Sequence, residues 1–127
     1  MYEIEIIAGF SAAHLLREYK GKCEHLHGHN YKVYVTVRAE SVGPSGMVMD
    51  FSDLKRITAG VLEPLDHAFL NEIAPFDIIE PSAENIASYL FQQIASRLPD
   101  QGGKLNSVTV CESDTARATY RSREIEF

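Results

Sequence analysis

The stretch CEHLHGHNYKVYVTVRAE, Cys23 to Glu40, decides the fold. Residues 29–40 alternate: Tyr31, Val33, Val35, Val37 and Ala39 share one side, and Asn30, Lys32, Tyr34, Thr36, Arg38 and Glu40 take the other. A side-chain period of two is that of a strand with one face buried. His25, His27 and His29 continue the apolar row backwards, with Cys23 two residues before the first. A row that leads into a core carries imidazoles only if they are hydrogen-bonded there or bind something.

Working outward, residues 2–12 alternate in the same way. Tyr2, Ile4, Ile6, Ala8, Phe10 and Ala12 lie on one side, and His14 follows in the same parity. The two runs predict long antiparallel strands, each burying one face. GPSG at 43–46 predicts a turn, and MVMDF after it a brief extension of the sheet. DFSD opens a helix, with Asp50 as N-cap and Asp53 near the positive helix end. Phe51, Leu54, Ile57, Val61 and Leu62 form its inner stripe, and Pro64 ends it. After a loop, Ser82 caps a second helix with the stripe Ile86, Ala87, Leu90, Phe91, Ile94 and Leu98. PDQGGK closes that helix. LNSVTVCES and ARATYRSREIEF predict two final strands, joined by a turn at Asp114.

The order is two strands, two helices, two strands. It predicts an α+β domain spanning 1–127, a four-stranded antiparallel sheet with both helices on one face. No repeat, low-complexity tract or linker interrupts it. The other sheet face, which carries Tyr34, and the open sheet edges predict association with copies of the same chain.

The chain has 127 residues, enough for one substantial core. Its formal charge is −6, with 12 basic against 18 acidic residues, which argues against a nucleic-acid surface. No apolar run approaches membrane-spanning length. The start, MYEIEII, carries acid where a secretory signal carries Lys or Arg, so a cytoplasmic location is expected. Cys23 and Cys111, the 2 cysteines, are expected as thiols in such a compartment. Cys111 lies in an apolar alternating run and is expected in the core.

His27 and His29 are two apart on a strand, so both imidazoles project from one side, roughly 6–7 Å apart at Cα. His14 ends the other strand's inward row and reaches the same point if the two strands pair. Three neutral imidazoles with one vacant position are the arrangement of a catalytic zinc. His25 has the parity to replace His14, and Cys23 could add a fourth ligand that closes the site as a structural one. Asp66 beside His67 is a pairing that tunes a proton acceptor, or else a helix-end imidazole next to a solvated acid. Glu112 has the parity of Val108 and Val110. A carboxylate on an inward row is uncommon unless paired, and it could grip an N–C–N donor edge bidentately. If the strand has already ended, it is merely solvated.

Six segments together, FSAAH (10–14), CEHLHGHNY (23–31), GMVMDFSDLK (46–55), LDHAFLN (65–71), PSAENIA (81–87) and CESDTARATY (111–120), resemble the 6-pyruvoyl-tetrahydropterin synthase family. Within it they lie nearest the bacterial 6-carboxy-5,6,7,8-tetrahydropterin synthases of queuosine biosynthesis. The resemblance spans nearly the whole chain. It implies the tunnelling fold (ββααββ), with sheets joined into a barrel of three subunits and two such trimers stacked into a hexamer. It implies that His14, His27 and His29 hold zinc, that Cys23 is the catalytic thiol, that Asp66 and His67 relay protons, and that Glu112 anchors the pterin. It implies 7,8-dihydroneopterin triphosphate as substrate, with triphosphate and acetaldehyde leaving as 6-carboxy-5,6,7,8-tetrahydropterin forms. Arg17, Lys20, Lys22 and Lys32 are candidates for the triphosphate by proximity in sequence. Animal pyruvoyl-forming members place five residues between the cysteine and His-Gly-His. Here three intervene, Glu24, His25 and Leu26, which favours the carboxy-forming branch over the pyruvoyl-forming one. Glu24 is a possible second acid/base, because one subgroup uses a glutamate near this place to make 6-hydroxymethyl-dihydropterin for folate. The rival from outside catalysis is a zinc-bearing assembly module with Cys23 as fourth ligand.

Overall fold

The computed structural model describes residues 1–17 and 25–123. The elements are β1 (Tyr2–His14), β2 (His27–Ala39), α1 (Phe51–Leu62), β3 (Ala68–Phe69), α2 (Ala83–Ala95), β4 (Lys104–Ser113) and β5 (Ala116–Arg121), with single 3-10 turns at Glu63–Leu65 and Leu70–Glu72. The two alternating runs pair antiparallel along their whole length, from Tyr2 opposite Ala39 to His14 opposite His27. That register is what carries the imidazoles to one end of the hairpin. The fold is α+β, as expected.

The sheet has five strands, in the order β3-β1-β2-β4-β5, where four were expected. The addition is β3, which runs parallel to β1 at Ala12 and Ala13. His67 causes it: its φ of 58° is left-handed, and its N–H donates to the Ser11 carbonyl at 2.5 Å. The chain therefore turns back along β1 for two residues. Two residues carry no periodicity to read. A second difference lies at Met47–Asp50, expected to extend the sheet. It is not strand, because a turn between Gly43 and Met47 leads directly to the Asp50 cap.

Both helices pack on one sheet face, α1 over β1 and α2 over β4 and β5. The Asp50 carboxylate accepts from Ser52 N at 2.8 Å, and the Ser82 hydroxyl accepts from Asn85 N at 3.2 Å, so both expected caps form. Leu54, Val61 and Leu62 of α1 and Ile86, Ala87, Leu90, Phe91 and Ile94 of α2 are buried against Phe10, Tyr31, Val33, Val35, Val37, Val108 and Val110. At about 1.5–3 kcal/mol for each large apolar side chain buried, this core holds the sheet without help from a metal. Phe51 departs from the expected stripe: it is 53 % exposed at the helix start, and Thr58 is buried instead.

Cys111 is buried but outside the helix-facing core. The alternation that turns Val108 and Val110 inward sends its thiol to the opposite face, between Lys32 and Arg117 of the neighbouring strands. That face is polar: Thr36 bonds Ser107 at 2.6 Å, Thr109 bonds Thr119 at 2.6 Å, and Arg117 lies over the Tyr34 ring. Among the described residues no helix is long and apolar enough to cross a membrane.

Candidate metal centre

His14 and His27 meet because the last pair of the β1–β2 ladder sets them opposite each other, and His29 joins them from one pleat further along β2. All three lie in the parity of the core-facing row, past the end of the apolar residues. Their ring centroids are 4.6, 5.0 and 4.9 Å apart with interplanar angles of 70–90°. One nitrogen from each lies within 4.8 Å of the others, and among the described residues this is the only grouping of His, Cys, Asp or Glu side chains able to share an ion.

The tautomers suit a metal. His14 Nδ1 lies 2.7 Å from the Pro81 carbonyl, and His27 Nδ1 lies 2.8 Å from the His25 carbonyl. A carbonyl only accepts, so each Nδ1 carries the proton and each Nε2 presents a lone pair. Those two Nε2 atoms lie 3.0 Å apart. Tetrahedral Zn–N bonds of about 2.0–2.1 Å would place them roughly 3.3 Å apart, close to what is found. His29 Nε2 is buried without a hydrogen-bond partner. Such an orphan costs on the order of 1–3 kcal/mol unless something binds it. Donor type, convergence and the orphaned nitrogen all fit a zinc-like ion. Burial lowers the His14 pKa first of all, with His27 and His29 adding to it against the Pro81 carbonyl and Glu112, so this ring is held neutral as a ligand requires.

His25 is exposed and supplies its carbonyl rather than its ring, so His14 takes the third place. Glu112 remains within β4, so it does not lie past a strand end. Its parity with Val108 and Val110 puts it on the row that carries the imidazoles, with Oε1 4.0 Å from His14 Nε2. Asp66 and His67 do interact, Oδ1 to Nδ1 at 3.1 Å, because the left-handed backbone at His67 folds the two side chains together. Asp66 Oδ1 also accepts from Ser11 N at 2.9 Å, and that bond chiefly holds its pKa below the usual carboxylate value. The pair is not among the three clustered imidazoles, but His67 shares a cleft of about 510 Å³ with His29, Ser11 and Asn30. Cys23, Glu24, Lys20 and Lys22 lie outside the described residues. Of the cations suggested for the triphosphate by sequence proximity, Arg17 is paired with Glu80, and Lys32 is exposed on the sheet face opposite the imidazoles. The role of Pro81 was not legible beforehand: its carbonyl is 67 residues from His14 and nothing in its identity signals the contact.

The chain matches the family described as 6-pyruvoyl tetrahydropterin synthase over residues 3–123. It is 40% identical over 119 residues to the 6-carboxy-5,6,7,8-tetrahydropterin synthase of Synechocystis, covering 89% of this chain and 88% of that one. It is 39% identical over 106 residues to human 6-pyruvoyl tetrahydrobiopterin synthase, covering 80% and 71%. Among solved structures, the Caenorhabditis elegans 6-pyruvoyl tetrahydropterin synthase superposes with a TM-score of 0.85 at 32% identity, covering 95% of each chain.

Proposed function

The chain belongs to the 6-pyruvoyl tetrahydropterin synthase family, and on that premise we propose that it is a zinc-dependent lyase acting on 7,8-dihydroneopterin triphosphate. Its product is 6-carboxy-5,6,7,8-tetrahydropterin, on the route to queuosine. The observation that carries this reading is a carboxylate, Glu112, 4.0 Å from a neutral imidazole of a three-histidine cluster. An ion and a pterin edge can thus be held side by side.

His14, His27 and His29 are the residues that would hold the ion, which supplies Lewis acidity to the substrate's side-chain hydroxyls. Glu112 accepts two N–H bonds from the pterin's 2-amino and ring edge, a bidentate grip that fixes the ring. Cys23, as thiolate, removes a proton from one face of the side chain, and His67, oriented by Asp66, returns one on the other. Loss of the proton beside the C–O–phosphate bond expels triphosphate. Cleavage of the C1′–C2′ bond then releases acetaldehyde, water supplying the new carboxylate oxygen. Identities of 40% and 39% to the carboxy- and pyruvoyl-forming relatives leave the product open. The three-residue spacing from Cys23 to His27 supports the carboxy product, and Glu24 keeps a hydroxymethyl-forming side activity as the second reading.

The assembly proposed is a hexamer of two trimers, each closing its sheets into a barrel. One observation supports it: both outer edges are largely unpaired, since β3 covers only Ala12 and Ala13 of β1 and β5 pairs with β4 alone. Glu3 and Glu5 lie on the first edge and Arg117 and Arg121 on the second, a complementary pairing across copies.

The test is to incubate the protein with 7,8-dihydroneopterin triphosphate and weigh the pterin formed, sizing the same preparation by light scattering. A carboxy-pterin from a hexamer is expected. A pyruvoyl- or hydroxymethyl-pterin would reassign the product, no turnover would remove the enzyme, and a monomer that turns over would remove the hexamer. Glu112→Gln is expected to raise KM about 10–100-fold, the equivalent of one or two bonds to a charged acceptor at about 1.5–3 kcal/mol, with metal content unchanged. An unaltered KM would strip Glu112 of its role.

A further inference from the structure

We propose that Arg17 is a positioning residue for the metal ligand His14, acting through the segment 71–81; this rests on the metal reading above. His14 is 2 % exposed, and its Nδ1 has its shortest contact, 2.7 Å, with the Pro81 carbonyl, the Tyr31 hydroxyl lying further off at 3.2 Å. The segment leading to Pro81 is mostly irregular, so its carbonyls need donors from elsewhere. Arg17 supplies them. Its guanidinium donates to Ile79 O at 3.3 Å, to Asn71 O at 3.4 Å and to Phe76 O. It also donates to Glu80 Oε1 at 3.0 Å, while its backbone N–H donates to Glu80 Oε2 at 2.5 Å. Five donors in a rigid fork can satisfy such a set, whereas an ammonium has three donors converging on one point.

Two amides complete the brace. Asn71 accepts from Leu15 N at 3.0 Å and donates to Leu15 O at 3.0 Å, which clamps the residue after His14 to the start of the segment. Asn85 donates to Glu80 O at 2.8 Å, which ties the residue before Pro81 to the first turn of α2. His14 is thus held from both directions, by its backbone through Asn71 and by its ring through Pro81. Arg17 and Glu80 are each 29 % exposed, so their pair is partly withdrawn from solvent. If Arg17 is removed, the segment before Pro81 is held by Asn71 and Asn85 alone, and the Pro81 carbonyl fixes the His14 ring less firmly with its Nε2 toward the other two nitrogens. Loss of an outer hydrogen-bond partner of a ligating histidine typically costs about 10–100-fold in metal affinity.

The experiment measures Zn2+ affinity of the full chain by competition with a chromophoric chelator, and records the visible spectrum of the Co2+ form. Arg17→Met is expected to weaken Zn2+ about tenfold or more and to change the Co2+ ligand-field bands. Arg17→Lys, which can still meet Glu80 but not all three carbonyls, is expected to recover part of the affinity. Arg97→Gln, a guanidinium that packs against Gly60 of α1, is expected to bind like the unaltered protein. Should Arg17→Met fail to fold, Glu80→Gln tests the same brace with a smaller loss in the same direction. A lowered apoprotein melting temperature with unchanged Zn2+ affinity and unchanged Co2+ bands would make Arg17 merely structural and overturn the proposal. An unaltered protein that binds no Zn2+ would instead overturn the metal reading on which it rests.

Discussion

His29→Ala is expected to lose its bound zinc and, with it, on the order of 10³-fold or more in kcat/KM. The magnitude follows from what the ion supplies: a Lewis-acid contribution of several kcal/mol, at about 1.36 kcal/mol for each factor of ten. His29 is the sharpest of the three ligands to test. Its Nε2 is buried without a partner, so as seen it serves no hydrogen bond that its removal would break. The strand about it is secured by backbone pairing opposite Ala12 and by the valines further along β2, which alanine leaves intact. The apoprotein melting temperature should therefore hardly move, whereas the rise on adding Zn2+, which scales as RT ln(1 + [L]/Kd), should vanish. Metal content after desalting and melting curves with and without Zn2+ check both halves. A variant that still carries one zinc per chain and still turns over would show that this imidazole is an ordinary core histidine.

The parts of this site that could be read from sequence are those set by strand parity. Alternation in β1 and β2 places His14, His27 and His29 on one row each, and antiparallel pairing brings the rows together. The same parity argument placed Val108 and Val110 in the core and pointed to Glu112, whose carboxylate lies 4.0 Å from His14. Cys111 is buried, as its place among the valines led one to expect, but its odd position puts it on the other face, between Lys32 and Arg117. What stayed hidden is what depends on backbone geometry or long-range carbonyls. One left-handed residue, His67, creates β3 and aims its own ring at Asp66. Arg17 looked like a phosphate ligand because cations near a phosphate site are a reasonable inference from charge, but Glu80, 63 residues away, takes that charge.

Cys23→Ala is expected to keep its zinc and to lower turnover by about 10²–10⁴-fold, the usual contribution of a positioned proton-transfer group. Covalent geometry already limits where this residue can be. Three residues lie between it and His27, so four steps along the chain keep its Cα within roughly 14 Å of that ligand's. A free thiol has a pKa of about 8.5, a nearby divalent cation would make it more easily ionised, and only the thiolate can act as base. The lower limb of the pH–rate profile should therefore belong to Cys23 and be absent from any residual activity of the variant. The rival arrangement predicts the opposite metal result. If the sulfur is a fourth ligand, as in a structural site, its removal loosens the ion and stability falls with it, because such a site contributes folding free energy. The core weighs against that rival, since a large apolar cluster packs the helices on the sheet and a metal staple is characteristic of domains that lack one. Metal content alone decides: a zinc-replete, inactive Cys23→Ala leaves the thiol on the substrate, and a zinc-free one places it on the ion.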